Sequence, residues 1–438
     1  MNTASAHTSS KIDASYSKAQ LAKPWMRWAV FFFLSSAVFG LLMRYFFIGT
    51  VPESLDYKHI LHAHSHVALL GWGYLLVSGA MVFLYIKDPE RLKVYKTLLV
   101  LTVIANLGML ISFPFQGYGL YSISFSTMHL LVSYGFGYHF LKDLKKCPQG
   151  SDNKLLRLAV FWLLASSLGL WAVAPVGAIF GKLHPLYFLS VQWFLHFQLN
   201  GWFVYGFLGL FILFLKKKKI EVGFKPVQLF VLNLSLVLTF ALTISWAYHW
   251  EGLYYLNSIG VILQAIAYSW ILYPGWKALI TESHLPINWV EKIVLLGLIS
   301  IIAKALIQLA LVIPDLVAVS FQIRNYIIGF IHLVLLGTIT FGIGGICIDS
   351  GLLPQNKFAK AGWFILSAAF VSSEVLLFGQ GTILWAKMGF IPNYHLFLFI
   401  SSAFFPLGLS LIFGSLWQKQ HKMDQNFIMI KPVKIVLN

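Results

Sequence analysis

Ten of the chain's fourteen histidines stand in, or a short step from, one set of ends of its long apolar runs: His59, His62, His64, His66, His129, His184, His196, His249, His332 and His395. The densest stretch is His62-Ala63-His64-Ser65-His66, at the mouth of a run that continues Val67-Ala68-Leu69-Leu70-Gly71-Trp72. Neutral imidazole ligates iron, copper and zinc, and it relays protons. Inside hydrocarbon an ionisable or ligating side chain is costly and usually faces a cofactor, a partner or a cavity. On a helix, His62 and His66 share a face while His64 points elsewhere. Either of the pair can then ligate while the other lines an access path.

The elements that must hold these side chains are membrane spans. Of 438 residues, 58% are hydrophobic and 11% charged, and the mean hydropathy is +0.77. A soluble domain carries about a quarter of its residues as charges. Apolar runs recur that are long enough to cross a hydrocarbon core of about 30 Å. Twelve spans are expected, at about 26–48, 60–86, 96–114, 119–142, 154–174, 185–215, 227–249, 253–273, 288–313, 319–348, 360–381 and 392–416. The net charge of +17 does not mark a nucleic-acid binder, because the bases fall in alternate short loops. One set of loops holds Lys87, Arg91, Lys93 and Lys96, then Lys142, Lys145 and Lys146, then Lys216 to Lys219; the opposite loops hold only Lys58, Lys182, Arg324 and Lys387. That bias predicts an all-α polytopic protein with both termini cytoplasmic; the expected setting is a bacterial inner membrane. The expected organisation is a flexible cytoplasmic tail over 1–24, a single twelve-helix membrane domain over 25–417 and a basic cytoplasmic tail over 418–438. Cys147 and Cys347 lie at expected cytoplasmic helix ends, which suits neither a disulfide framework nor a thiolate metal site.

Depth follows from a rise of about 1.5 Å per residue. His129 lies some ten residues into the fourth span and His196 about as deep into the sixth. His249 closes the seventh span, His332 is about a dozen residues into the tenth, and His395 starts the twelfth. Six spans thus bring imidazoles to one slab of the outer leaflet, whereas His7, His139, His284 and His421 fall on the other side. Zinc sites usually add Cys or carboxylate, which this slab nearly lacks. Heme needs only one or two axial imidazoles, apolar and aromatic walls, and small residues that admit a flat ring. Gly71, Gly73, Gly201, Gly206, Gly209, Gly329 and Gly337 supply room, and Trp72, Trp193, Trp202, Tyr205 and Trp246 supply walls. Glycine stripes also serve ordinary helix packing, and a single buried histidine is often a hydrogen-bonded packing residue. A metal-ion or proton-coupled transporter is the alternative from another class. Helices broken near mid-membrane would mark it, but Pro114, Pro175 and Pro314 fall at span ends. Lys304, Gln308 and Glu374 are further buried polar residues, and Glu374 is a candidate proton carrier.

Three stretches, in order along the chain, resemble the twelve-helix catalytic subunit I of heme-copper oxidases and nitric oxide reductases, especially its cbb-type branch. His62 or His66 followed by Gly71-Trp72 looks like the low-spin heme ligand region, and His64-Ser65-His66 with Gly71 is also similar to NnrS-type membrane heme proteins. His196 with Asn200-Gly201-Trp202-Phe203 looks like the stretch bearing the first copper ligand. Gly329-Phe330-Ile331-His332 followed by Gly337 looks like the paired-histidine segment, with Phe330 where the first imidazole would stand. The adjacent histidines that end the family's seventh helix are here His249-Trp250.

The resemblance implies heme b held by His62 or His66 and His332, with Arg324 pairing a propionate. It makes His64, His129, His196, His249 and His395 the candidates for copper or a second heme. It further implies a cytochrome c-type or quinol electron donor, additional membrane subunits and a bilayer setting, with no nucleic acid. The expected activity is electron transfer with reduction of oxygen or nitric oxide. The incomplete binuclear ligand set keeps a non-catalytic heme or nitric-oxide-response role beside it.

Overall fold

The computed structural model describes residues 3–281 and 287–418. His284, His421 and the basic tail from 419 onward lie outside the described residues. Every regular element among the described residues is a helix. In chain order they are α1 (Thr3–Tyr45), α2 (Tyr57–Tyr85), α3 (Pro89–Gln116), α4 (Leu120–Leu144), α5 (Ser151–Phe180), α6 (Pro185–Lys217) and α7 (Pro226–Ser245). They continue with α8 (Gly252–Trp276), α9 (Trp289–Ala310), the short α10 (Pro314–Gln322), α11 (Arg324–Asp349), α12 (Lys357–Trp385) and α13 (Tyr394–Ser415). The first helix starts within the stretch expected to be a tail, and its apolar part is Leu21–Tyr45.

Eleven helices are long and apolar enough to cross a membrane. The twelfth long helix, α4, has 25 residues but is not one of the eleven. Its interruption by Ser122, Ser126, Ser133, Tyr134 and His129 lowers its apolar content. The tenth expected span, 319–348, differs more. Pro314 opens the separate short helix α10, and Ile323 is extended (φ −98°, ψ 101°), so the long helix restarts at Arg324. Proline at a first helical position is pre-set for helix and lacks only an N–H that had no partner there. The same device opens α3, α6 and α7 at Pro89, Pro185 and Pro226. Gly117 ends α3 with φ +56°, a left-handed turn that favours glycine.

Three helices are wound differently from the rest. In α2, α6 and α11 the α-helix gives way to a π-helical stretch at Val67–Gly73, Phe197–Phe203 and Leu333–Ile343. Each stretch begins at the residue after a histidine: His66, His196 and His332. They sit on every fourth long helix of the chain. These are also the most enclosed spans: 78%, 94% and 61% of their most apolar windows are buried, against 22–50% for the other eight. A fourth stretch, Lys277–Thr281, follows α8 without a preceding histidine.

The chain forms two compact units. Among the described residues, one comprises 3–147, 347–383 and 388–417, and the other 148–281, 287–346, 384–387 and 418. In the first, α1 packs on α2, α3 and α13, and α3 packs on α4. In the second, α5 packs on α6, α7 on α8, α8 on α9, and α9 along the π stretch of α11. Glycines set the closest approaches, as expected where van der Waals packing drives helix association. A methyl group on Gly362 of α12 would stand 2.6 Å from the Gly408 carbonyl of α13, whereas one on Gly379 meets nothing within 4 Å. Gly362→Ala should therefore lower stability by about 1–3 kcal/mol through overpacking, and Gly379→Ala should not. Thermal unfolding in detergent micelles checks this. Equal midpoints for the two variants would refute the contact.

Candidate functional site

In the first unit the histidine run is set by its helix start. Asp56 is extended (φ −89°, ψ 125°), and its Oδ1 accepts from the backbone N–H groups of Lys58 and His59 at 2.7 and 3.0 Å. That cap fixes the helical phase of everything downstream. The amide of His59 donating to it holds the Asp56 carboxyl below its ordinary pKa.

The His66 ring nitrogen Nδ1 lies 2.9 Å from the His62 carbonyl oxygen. A carbonyl only accepts, so Nδ1 carries the hydrogen and Nε2 keeps its lone pair. That Nε2 faces the Tyr118 hydroxyl at 3.5 Å, and the ring lies 4.2 Å from that of Phe113. His62 packs on Tyr118 with ring centroids 4.5 Å apart. The two imidazoles thus share one aromatic wall, as their spacing predicts. Histidines that ligate iron commonly donate their other N–H to a carbonyl. In His66 the Nδ1–H is engaged in this way, and Nε2 is the nitrogen with the lone pair.

The other candidates in this unit are engaged differently. His64 turns to α1: its Nδ1 is 2.8 Å from the Ser36 carbonyl oxygen, and its ring abuts Gly40. His129, 3% exposed, donates from Nε2 to the Leu70 carbonyl at 3.2 Å and meets Tyr74 edge-on. His395 stacks on Phe47, with centroids 4.9 Å apart and an 8° tilt.

In the second unit His196 donates from Nε2 to the Leu236 carbonyl of α7 at 3.0 Å, and its ring packs on Phe240. Only Nδ1 remains for any ligand. His332 is half-buried at the end of the α-helical part of α11. Just beyond it, the hydroxyls of Thr338 and Thr340 donate to the carbonyls of Leu333 and Leu335, five residues back, at 3.1 and 2.8 Å. Phe330 lies beside Lys304, whose Nζ is 5.9 Å from the ring centroid. Arg324 is exposed at the start of α11. His249 is exposed and lies past the end of α7, where it lines a cavity of about 140 Å³ with Trp246 and Phe321.

Among the described residues no group of three or more His, Cys, Asp or Glu side chains is placed to hold a metal ion. The candidate copper ligands His64, His129, His196, His249 and His395 are thus not gathered into a donor set of that size. The sequence reading missed Tyr118 and the π stretches. The Gly117-Tyr118-Gly119 turn and the glycines at 71, 73 and 201 were their only signals.

No family profile matches the chain, and no curated protein does. Among solved structures, the fold is similar to a chain in the cryo-EM structure of a heme-copper terminal oxidase dimer. The TM-score is 0.61 at 14% sequence identity, over 91% of this chain and 83% of that one. At that identity the likeness is one of fold, and it agrees with the polytopic architecture expected from the sequence.

The Asp56 cap generates a pH test with a defined sign. A carboxylate whose folded pKa is depressed contributes stability above its unfolded value of 3.8 and loses it as pH falls through the lower folded value. Hydrogen-exchange protection of the Lys58 and His59 amides should therefore drop on acidification through that window. In Asp56→Asn, which caps without a charge, protection should stay level. A drop of equal size in both proteins would remove the carboxylate from the argument.

Proposed function

We propose that this protein is a membrane heme protein built like the catalytic subunit of heme-copper oxidases, and that it passes electrons toward reduction of oxygen or nitric oxide. The carrying observation is the coincidence of His66, His196 and His332 with the onset of π-helical stretches in the three most enclosed spans. Such stretches are rare and concentrate at functional sites. The heme-copper oxidase fold supplies the chemical context.

His66 is the proposed axial imidazole donor of the first unit, and His332 is the candidate donor of the second. His66 presents Nε2 because Nδ1 is tied to its own helix. Bound heme b would supply the one-electron chemistry. The chain's own part is then plain. His62, Phe113 and Tyr118 shield the His66 face, Tyr118 offers a hydroxyl beside Nε2, and exposed Arg324 is available to a propionate. His196 can contribute only Nδ1 unless its bond to Leu236 breaks. Electrons would come from a cytochrome c-type or quinol donor, with further membrane subunits alongside, in a bacterial inner membrane. The assignment to a cbb-type or NnrS-like branch rests on the local motifs alone.

A second reading has its own support. Phe330 stands where the resemblance calls for an imidazole, and its ring lies near Lys304. That favours a heme protein that transfers electrons or binds a gas without reducing it.

Purified protein from heme-replete cells should show a Soret band and, after dithionite, a sharp alpha band. His66→Ala and His332→Ala should each lose heme, while His395→Ala should keep it. Tyr118→Phe should not lower heme affinity, because its hydroxyl meets Nε2, the nitrogen that would ligate, while the orienting Nδ1–H bond goes to the His62 carbonyl. A colourless, iron-free wild-type preparation would overturn the heme reading. Consumption of oxygen or nitric oxide by the reduced protein separates the first reading from the second.

A further inference from the structure

The strongest unassigned feature is a line of buried polar side chains between α8 and α9 of the second unit. On α8, Asn257, Gln264 and Tyr268 are spaced by seven and four residues, so they share one helical face. On α9, Lys304 and Gln308 are four apart and share another. Two contacts fix how the faces meet. Asn257 Nδ2 donates to the Leu311 carbonyl at 3.5 Å, and Lys304 Nζ donates to the Tyr268 hydroxyl at 3.2 Å. The helices are antiparallel, and counting four residues back along α8 and four forward along α9 from the Tyr268–Lys304 pair sets Gln264 level with Gln308. All five side chains are at least nine-tenths buried: Asn257 1%, Gln264 2%, Tyr268 3%, Lys304 0% and Gln308 6% exposed.

The acceptors on this line lack donors. Asn257 Oδ1, Gln264 Oε1 and Gln308 Oε1 are buried with no hydrogen-bond partner in the protein. Lys304 has three N–H groups, and the Tyr268 hydroxyl accounts for one. Buried amide oxygens and an ammonium in hydrocarbon surroundings are costly unless satisfied. The Gln264–Gln308 level lies four residues, about 6 Å along the axis, from Tyr268 and Lys304, a gap that one water molecule bridges, and Asn257 lies seven residues, about 10 Å, further along α8, a gap that takes a short file. Beyond Lys304 the buried side chains of the two helices are mostly apolar: Ile271, Leu272, Leu298 and Ile301, with the buried Ser300 hydroxyl spent on the Leu296 carbonyl of its own helix.

We propose that the α8–α9 seam is a one-sided, water-filled route that leads from the membrane face at the Gly252 end of α8, past the Gln264–Gln308 pair, and stops at Lys304. Its occupant is a single file of water, and its chemistry suits relay of protons between water and the amide, hydroxyl and ammonium groups along it. The route stands whether or not the protein binds heme.

Two measurements on the full chain in lipid nanodiscs or vesicles decide it. In hydroxyl-radical footprinting by X-ray radiolysis, internal water should oxidise Tyr268 well above wholly buried Phe211. The label should be lost in Gln264→Leu/Gln308→Leu. Labelling of Tyr268 no greater than that of Phe211 would overturn the proposal, and this readout needs no variant. For direction, Gln308→Cys is placed in a Cys147→Ser/Cys347→Ser background in vesicles of one orientation. Silver ion, small enough for a water file, should consume the new thiol when added on the side bearing His249 and not from the opposite side. Reaction from the opposite side only, or from neither, would also overturn it.

Discussion

In hydrocarbon every backbone carbonyl and amide needs a partner, because each one left without costs several kcal/mol. Much of this structure follows from that constraint. A regular α-helix meets it internally. A π-helical stretch meets it less well, since the wider turn shifts each acceptor and lets carbonyls tilt outward. The chain answers with side chains. The Leu70 carbonyl, inside the first π stretch, takes N–H groups from His129 and Asn106 at 3.2 and 3.4 Å. In the third stretch the donors are the hydroxyls of Thr338 and Thr340. The first and third widened stretches are sustained in this way, and a histidine stands at the threshold of each.

The same constraint divides the histidines by what their two nitrogens do. His64, His129 and His196 each reach across to a carbonyl of another helix, Ser36, Leu70 and Leu236 respectively. An imidazole used this way pins two helices together and satisfies an acceptor the backbone left open. His66 bonds backward, to a carbonyl of its own helix. That bond adds nothing to helix association, but it locks the ring's tautomer and direction. The separation is chemical, and it singles out His66 from neighbours that look alike in sequence.

Much of the architecture was legible because its causes are local. Hydropathy marked the spans, and prolines at 89, 185 and 226 marked helix starts. Four-residue spacing set His62 and His66 on one aromatic wall. What was not legible depends on contacts between distant positions. Nothing in the run at 319–348 announces that Ile323 turns extended between α10 and α11. The shared depth of the histidines suggested convergence. Yet depth fixes one coordinate of three, and His395 spends its ring on Phe47 while His249 lies beyond its helix. The π stretches were hidden because a π turn has no strong sequence signature; glycines at 71, 73 and 201 permit one without requiring it.

Buried polarity follows a different logic in each unit. In the first, polar side chains near the histidines mostly find carbonyls, and the surroundings are aromatic. In the second, α8 and α9 keep amide oxygens and an ammonium inside a tightly packed bundle where leucines would pack as well. A packing role alone does not account for Lys304, since replacing a buried charge by an apolar residue of similar size is often neutral or stabilising. Nor does snorkelling, because its side chain is fully enclosed rather than reaching an interface. The remaining account is that the lysine and its two glutamine neighbours are held in register by Asn257 at one end and Tyr268 at the other. Together they form a line of polar groups whose buried amide oxygens call for water.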